Sequence, residues 1–269
     1  MPEFENFQLK DIDAIALQSF VASSSELSPK TIRNFIITLR MMWNSARAWG
    51  FVAHNPFEGV VMPKSRKAEP KFFTVEEMRK LIEHAPEPYR TFYWLAAETG
   101  MRAGELCGLR RQDIALEQGV VQVRQSVWRG GTQTPKTEGS RRVFSVSSEL
   151  QKHLREFLAR EPNPEVQFVF HTRNGTPMDP NLIVKRKLKP ICMKLGIIPA
   201  GLHAFRHGNA TYLDQIAAPA MVRQSRLGHS DIRTTLGYTH MIGEDDRRIA
   251  AQLGNILHDV ERPNLAATV

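Results

Sequence analysis

Hydrophobic positions recur three and four residues apart through most of this chain, and alternate only in a short stretch between residues 120 and 146. The first helical set is Ile12, Ile15, Ala16 and Phe20, which share a face and predict a helix over residues 11–22. Ser28-Pro29 then places an N-capping side chain before a proline at the first helical position, where a missing N–H costs nothing. Ile32, Ile36, Leu39, Trp43 and Ala46 follow as one long apolar stripe, which Gly50 and Asn55-Pro56 bring to an end. Helices with such stripes need a partner surface, so residues 1–62 read as a small helical bundle or part of one.

Residues 61–72 are basic, punctuated by proline and without hydrophobic period, which is a linker composition; the linker proper is placed at 63–72. Thr74 with Glu77 forms a capping box and opens a helix whose Met78, Leu81 and Ile82 point inward. A second helix over about 87–99 carries Phe92, Leu95 and Ala96 and ends at Gly100. The alternating runs come next, at Val120–Val123, Gln125–Trp128 and Arg142–Val146, with turns at Gly130-Gly131 and Glu138-Gly139. Helical spacing then returns with Leu150, Leu154, Phe157 and Leu158. The predicted fold is mainly α with a small antiparallel sheet (α+β). It comprises a helical domain over 1–62, a linker, a main domain over 73–242, and a C-terminal helix and tail over 243–269.

Composition sharpens this picture in two ways. With 42% hydrophobic residues in 269 the chain can build a real core, which excludes bulk disorder. The net charge of +8 suits a polyanionic partner, and its distribution is uneven. Residues 1–65 hold six basic and six acidic residues, so the whole surplus lies beyond them. Cys107 and Cys192 lack the spacing of a metal site and read as reduced thiols. No apolar run approaches a membrane span of roughly 18 residues, and the N-terminus lacks the order of a signal peptide. A cytoplasmic protein is the expectation.

The candidate chemistry gathers in the second half. Tyr238, in Gly237-Tyr238-Thr239-His240, has no apolar periodicity around it, whereas Tyr89, Tyr93 and Tyr212 have packing contexts. A phenol with pKa about 10 attacks at neutral pH only if neighbours take its proton or stabilise the developing oxyanion. Arg102 and Arg206 can each make two parallel charge-assisted hydrogen bonds to a phosphate. Arg206 falls three residues after His203 in the first turn of a predicted helix, which aligns the two on one face. His203 and His229 can donate to a phosphate oxygen or move a proton. Lys136, near the tip of a turn between strands, reads as a solubility device or, beside a scissile phosphate, as the acid for the leaving oxygen. Three histidines with Glu105 could form a metal-ligand set, but Arg206 among them would repel a cation, so neither metal nor cofactor is expected.

The order Arg102, Lys136, His203-x-x-Arg206, His229, Tyr238 resembles the catalytic set of the tyrosine recombinase (phage integrase) family. The likeness extends to Gly104-Glu105-Leu106, Gly175-Thr176-Pro177, Leu227-Gly228-His229-Ser230 and Tyr238-Thr239-His240, and covers residues 28–242. It departs at Ala204 and at Gly208-Asn209, where the family usually has other residue types. The resemblance implies a helical DNA-clamp domain before a catalytic domain, and a DNA strand-transferase working without ATP or metal. Tyr238 would attack a DNA phosphate to give a 3′-phosphotyrosyl bond. Arg102 and Arg206 would clamp that phosphate, Lys136 would serve as general acid, His203 and His229 would assist, and Glu105 would orient from behind. It further implies a tetramer on two double-stranded DNA sites, an accessory DNA-bending protein, a place on the nucleoid and a mobile genetic element as context. The family's clamp generally has another helix before residues 11–22.

Two other functions fit parts of the pattern. A type IB topoisomerase shares the chemistry, and residues 211–238, with Pro219 and Gly228 between helices, could form a non-catalytic helix-turn-helix. An amphipathic helix over 244–260, with Ile249, Leu253, Ile256, Leu257 and Val260, would pack on its own domain or dock on a neighbouring protomer.

Overall fold

Capping side chains set the helix starts of the first compact unit, residues 1–69. The computed structural model describes residues 4–64, 71–128, 131–133, 142–160 and 162–228. Asp13 accepts from the Ala16 amide at 2.8 Å to begin α1 (Ala14–Ser23), and Ser28 accepts from Thr31 at 3.1 Å to begin α2 (Pro29–Ala48) with Pro29 at its first position. Leu17, Phe20 and Val21 of α1 are buried with Ile32, Ile36 and Trp43 of α2 and with Phe57. Trp43 also donates from its indole N–H to the His54 carbonyl at 2.9 Å, which satisfies its polar edge inside the cluster. The predicted face of α1 is therefore corrected. Ile15 is 75% exposed, because the buried stripe runs 17, 20, 21 and position 15 points away from it. α2 carries Lys30, Arg33, Arg40 and Arg47 and no acidic residue, with the three arginines exposed at every seventh position. The balanced charge of residues 1–65 is thus segregated rather than mixed.

The second unit spans residues 70–269. The capping box forms as expected: Thr74 accepts from Glu77 at 3.2 Å and Glu77 returns the bond at 2.8 Å, starting α3 (Val75–His84). α4 (Tyr89–Thr99) ends at Gly100 in the left-handed conformation, and α5 (Ala103–Cys107) follows after two residues. A three-stranded antiparallel sheet has the order β1 (Ile114–Ala115), β2 (Val120–Val123), β5 (Arg142–Ser145), with β3 (Ser126–Trp128) and β4 (Gly131–Gln133) forming a separate hairpin. In its register Val121 faces Phe144 and Val123 faces Arg142, so one face of β5 is buried through both Phe144 and Arg142. α6 (Ser148–Ala159) buries Leu150 and Leu154. After it come α7 (Pro180–Ile183), a π-helical turn (Val184–Leu188), α8 (Lys189–Lys194), α9 (His203–Gln215) and α10 (Ala220–Leu227). Phe92, Leu95, Leu106, Phe144, Leu150, Phe170 and Phe205 share one core, and Tyr93 stacks on Phe205 inside it, a packing role as expected. No described helix is long and apolar enough to cross a membrane.

Gly208 and Asn209 of α9, where the sequence departs from the family pattern, have a packing explanation. A Cβ on Gly208 would lie 2.2 Å from the Phe73 carbonyl oxygen, and Asn209 donates to the Ala97 and Glu98 carbonyls at 2.8 and 3.1 Å. Gly208→Ala is expected to destabilise the chain by about 2 kcal/mol, from roughly 3 of overpacking against about 1 gained in helix propensity. A thermal melt should then shift down by about 4–8 °C. An unchanged or raised midpoint would mean that the Phe73 backbone yields at no cost.

Candidate active site

Two helix ends build the site. The left-handed turn at Gly100 stops α4, and Arg102 becomes the N-cap of α5 with Glu105 at the third helical position. Glu105 turns back on that N-cap: one oxygen accepts from the Arg102 amide at 2.7 Å and the other from Arg102 Nη1 at 2.9 Å. β5 brings a second guanidinium to the same carboxylate, Arg142 Nη2 bonding Glu105 Oε2. Glu105 and Arg142 are buried, while Arg102 keeps 43% of its side chain exposed. Burial lowers the Arg142 pKa and Glu105 opposes that shift.

α9 supplies Arg206, also buried, which donates to the Gly100 carbonyl at 2.9 Å and to the Leu227 carbonyl. Leu227 ends α10, and Gly228 caps it at φ 58°. The Leu227 carbonyl accepts from Arg142 Nη1 as well, at 3.0 Å, and Arg102 Nη2 lies 3.3 Å from the Gly228 carbonyl. Three guanidiniums thus gather where α10 presents its unpaired carbonyls, with the end of α4 contributing one more. The partial negative charge of helix C-termini, together with Glu105, offsets the mutual repulsion of the arginines. A close-packed cation cluster can then persist, open at Arg102, to receive an anion.

His203 stands at the start of α9, exposed, with its ring edge-on to His207 at 4.6 Å between centroids. It does not share the buried environment of Arg206, although the two are three residues apart. Desolvation by its neighbours, then His207, Arg206 and Arg102, push its pKa down to about 4, against a pull from Glu105. Because the ring is exposed, the cationic neighbours are the sturdier cause. His203 is therefore neutral at pH 7, able to donate one N–H and to accept a proton. The unfolded chain takes up this proton from pH 6.5 downward and the folded chain does not, so the associated stability is complete above 6.5 and lost as pH falls towards 4. In an NMR titration of the free protein, the His203 ring signals should move near pH 4. A midpoint above 6 would remove this electrostatic account.

Of the residues expected to act together, Arg102, Glu105, His203 and Arg206 converge here from segments a hundred residues apart. Lys136, His229 and Tyr238 lie outside the described residues, as do the Glu138-Gly139 turn and residues 244–260. Gly228, held by Arg102, immediately precedes His229 in the sequence. Arg142 was missed as a member of the cluster. Its signal was the strand alternation itself, which puts position 142 on the same face as Phe144 and so buries a cation. Tyr212, expected to be structural, is 43% exposed. It lines a cavity of about 770 Å³ with Met78, Ile82, Trp94 and Leu213. Cys107 and Cys192 are free and buried.

Comparison with known proteins gives a consistent result. The family model described as the phage integrase family matches residues 71–244. The ICEBs1 integrase of Bacillus subtilis (strain 168) is 29% identical over 251 residues, covering 86% of this chain and 67% of that protein. A tyrosine recombinase of Pseudothermotoga lettingae is 25% identical over 248 residues, covering 89% of this chain and 82% of that protein. Among solved structures, the Tn1549 transposon integrase in complex with circular intermediate DNA has the same fold. It matches with a TM-score of 0.75 at 22% identity, covering 91% of this chain and 86% of that one.

Proposed function

This chain belongs to the phage integrase family, and from that premise we propose that it is a site-specific DNA recombinase that cuts and rejoins double-stranded DNA through a covalent tyrosine intermediate. The observation that carries the reading is the convergence of Arg102 and Arg206 on the end of α10, directly before His229. Relatives named integrases and tyrosine recombinases favour it over a type IB topoisomerase or a non-catalytic helix-turn-helix protein. The acid-free, arginine-bearing α2 gives residues 1–62 a surface suited to a polyanion despite their balanced charge.

In the proposed reaction Arg102 and Arg206 bind the non-bridging oxygens of one phosphate, neutralising charge that grows in the transition state. The Tyr238 oxygen bonds to phosphorus and loses its proton to a nearby base, for which His229 and the neutral His203 are the candidates. The bond from phosphorus to the 5′ oxygen breaks, and Lys136 delivers a proton to that oxygen. The products are a 3′-phosphotyrosyl link and a free 5′-hydroxyl. One phosphate ester replaces another, so the step needs neither ATP nor a metal to drive it. Glu105 holds Arg102 from behind. Four copies act on two DNA sites, with an accessory DNA-bending protein where the target requires one, on the chromosome of a cell carrying the mobile element.

The test is a nicked DNA duplex containing the ends that flank the element. Incubation should leave protein linked to the 3′ phosphate side of the cut, with a free 5′-hydroxyl on the other strand end. Relaxation of plasmids regardless of sequence would favour the topoisomerase reading, and binding without any adduct would favour the non-catalytic one.

A further inference from the structure

Arg142 occupies an unusual place in the cluster. Both its terminal nitrogens are used: Nη1 on the Leu227 carbonyl at 3.0 Å and Nη2 on Glu105. Glu105 in turn holds Arg102, and the Leu227 carbonyl also takes Arg206. Arg142 is therefore the joint between the two phosphate-binding arginines, contacting the immediate partner of each. It is 5% exposed, so it acts from behind them, and its guanidinium carbon lies 5.5 Å from the Phe144 ring centre.

The surroundings are shaped to this side chain. A Cβ on Gly228 would fall 1.9 Å from Arg142 Nη1 and 2.6 Å from its Cδ, so a side chain there would displace the guanidinium. Stability does not account for the arrangement. Desolvating a guanidinium is costly, and well-packed apolar side chains in place of a buried ion pair generally serve stability as well or better. What a buried, doubly bonded guanidinium supplies is fixed geometry between two acceptors, which an ammonium, as a point charge, supplies less well.

We propose that Arg142 is a positioning residue for strand cleavage, an inference that rests on the recombinase reading: it sets the spacing of Arg102 and Arg206 through Glu105 and the Leu227 carbonyl. A protein engages duplex DNA through many phosphate contacts, so the loss of a residue behind them falls on the chemical step and not on binding.

The experiment measures DNA affinity and the single-turnover rate of adduct formation separately, on a nicked site, for wild type, Arg142→Met, Arg142→Lys, Glu105→Gln and the Arg142→Met/Glu105→Gln pair. Arg142→Met should bind within about twofold of wild type and cleave about a hundredfold more slowly, the size of one lost transition-state donor. Arg142→Lys should recover part of the rate. The double variant should be little slower than the slower single, because both interrupt one path to Arg102. Wild-type cleavage by Arg142→Met, or rate losses that only parallel losses of affinity, would overturn the proposal. If Arg142→Met does not fold, Arg142→Lys decides on the same two measurements, and failure of both to fold assigns Arg142 to stability and overturns it. A wild-type chain that forms no adduct would instead sink the recombinase reading.

Discussion

Tyr238→Phe is expected to bind its DNA site with unchanged affinity and to form no covalent adduct. The substitution removes a single oxygen, and that oxygen is the atom that bonds to phosphorus in the proposed reaction. Phenylalanine keeps the ring, so binding and folding are expected to survive while the nucleophile is gone. A hydroxyl elsewhere could substitute only if a second phenol reached the phosphate. Tyr93 is buried with its pKa raised by desolvation, and it stacks on Phe205 in the core. Tyr212 faces the cavity beside Met78 and Trp94, outside the arginine cluster. Denaturing gels of end-labelled, nicked DNA make the comparison. An adduct from the Tyr238→Phe protein would remove Tyr238 from the mechanism and send the search to the remaining hydroxyls.

Arg206→Ala is expected to lower the cleavage rate by about 10³-fold or more, with a smaller loss of DNA affinity. The size follows from what the guanidinium does in phosphoryl transfer, where removal of one charged donor at the transferring phosphate costs two to five powers of ten. There is a second contribution. Arg206 bonds the Gly100 and Leu227 carbonyls, so its loss takes the side-chain donor from Gly100, leaves Leu227 to Arg142 alone, and loosens the turns before Arg102 and His229. Arg206→Lys should therefore remain well below wild type, since one ammonium cannot span both carbonyls and a phosphate. Single-turnover kinetics with a parallel melting curve separate the two contributions. A variant that melts normally and cleaves within tenfold of wild type would mean that Arg206 is structural.

The two halves of the molecule differed in how far their sequence could be read. Capped helices were plain: Ser28-Pro29, the Thr74/Glu77 box and Gly100 all sit where their local chemistry puts them, because caps and stops act within a few residues. The apolar face of α1 was misjudged at Ile15, since one exposed aliphatic residue at near-helical spacing cannot be told from a buried one without knowing its partner. Order and spacing single out Arg102, Glu105, His203 and Arg206, and the fold brings those four together. Their connections were not legible, because the carbonyls they hold belong to Gly100, Leu227 and Gly228, and backbone acceptors leave no signature in side-chain pattern. Arg142 shows the same limit from the other side. The alternating run Arg142–Val146 was visible, but only pairing with β2 shows which of its faces is buried.

The hydrogen bonds that tie the arginines to their carbonyl partners join residues 106, 126 and 85 positions apart. Loop closures of that length come late, after local helices and hairpins have formed. α10 has eight residues, too few to persist alone, so the acceptor end it offers exists only once the surrounding protein has folded around it. On the ribosome, the arginine cluster therefore cannot assemble until the polymer has been extended past residue 228. A nascent chain shorter than that therefore holds its arginines apart, without the carbonyl acceptors that later bring them together.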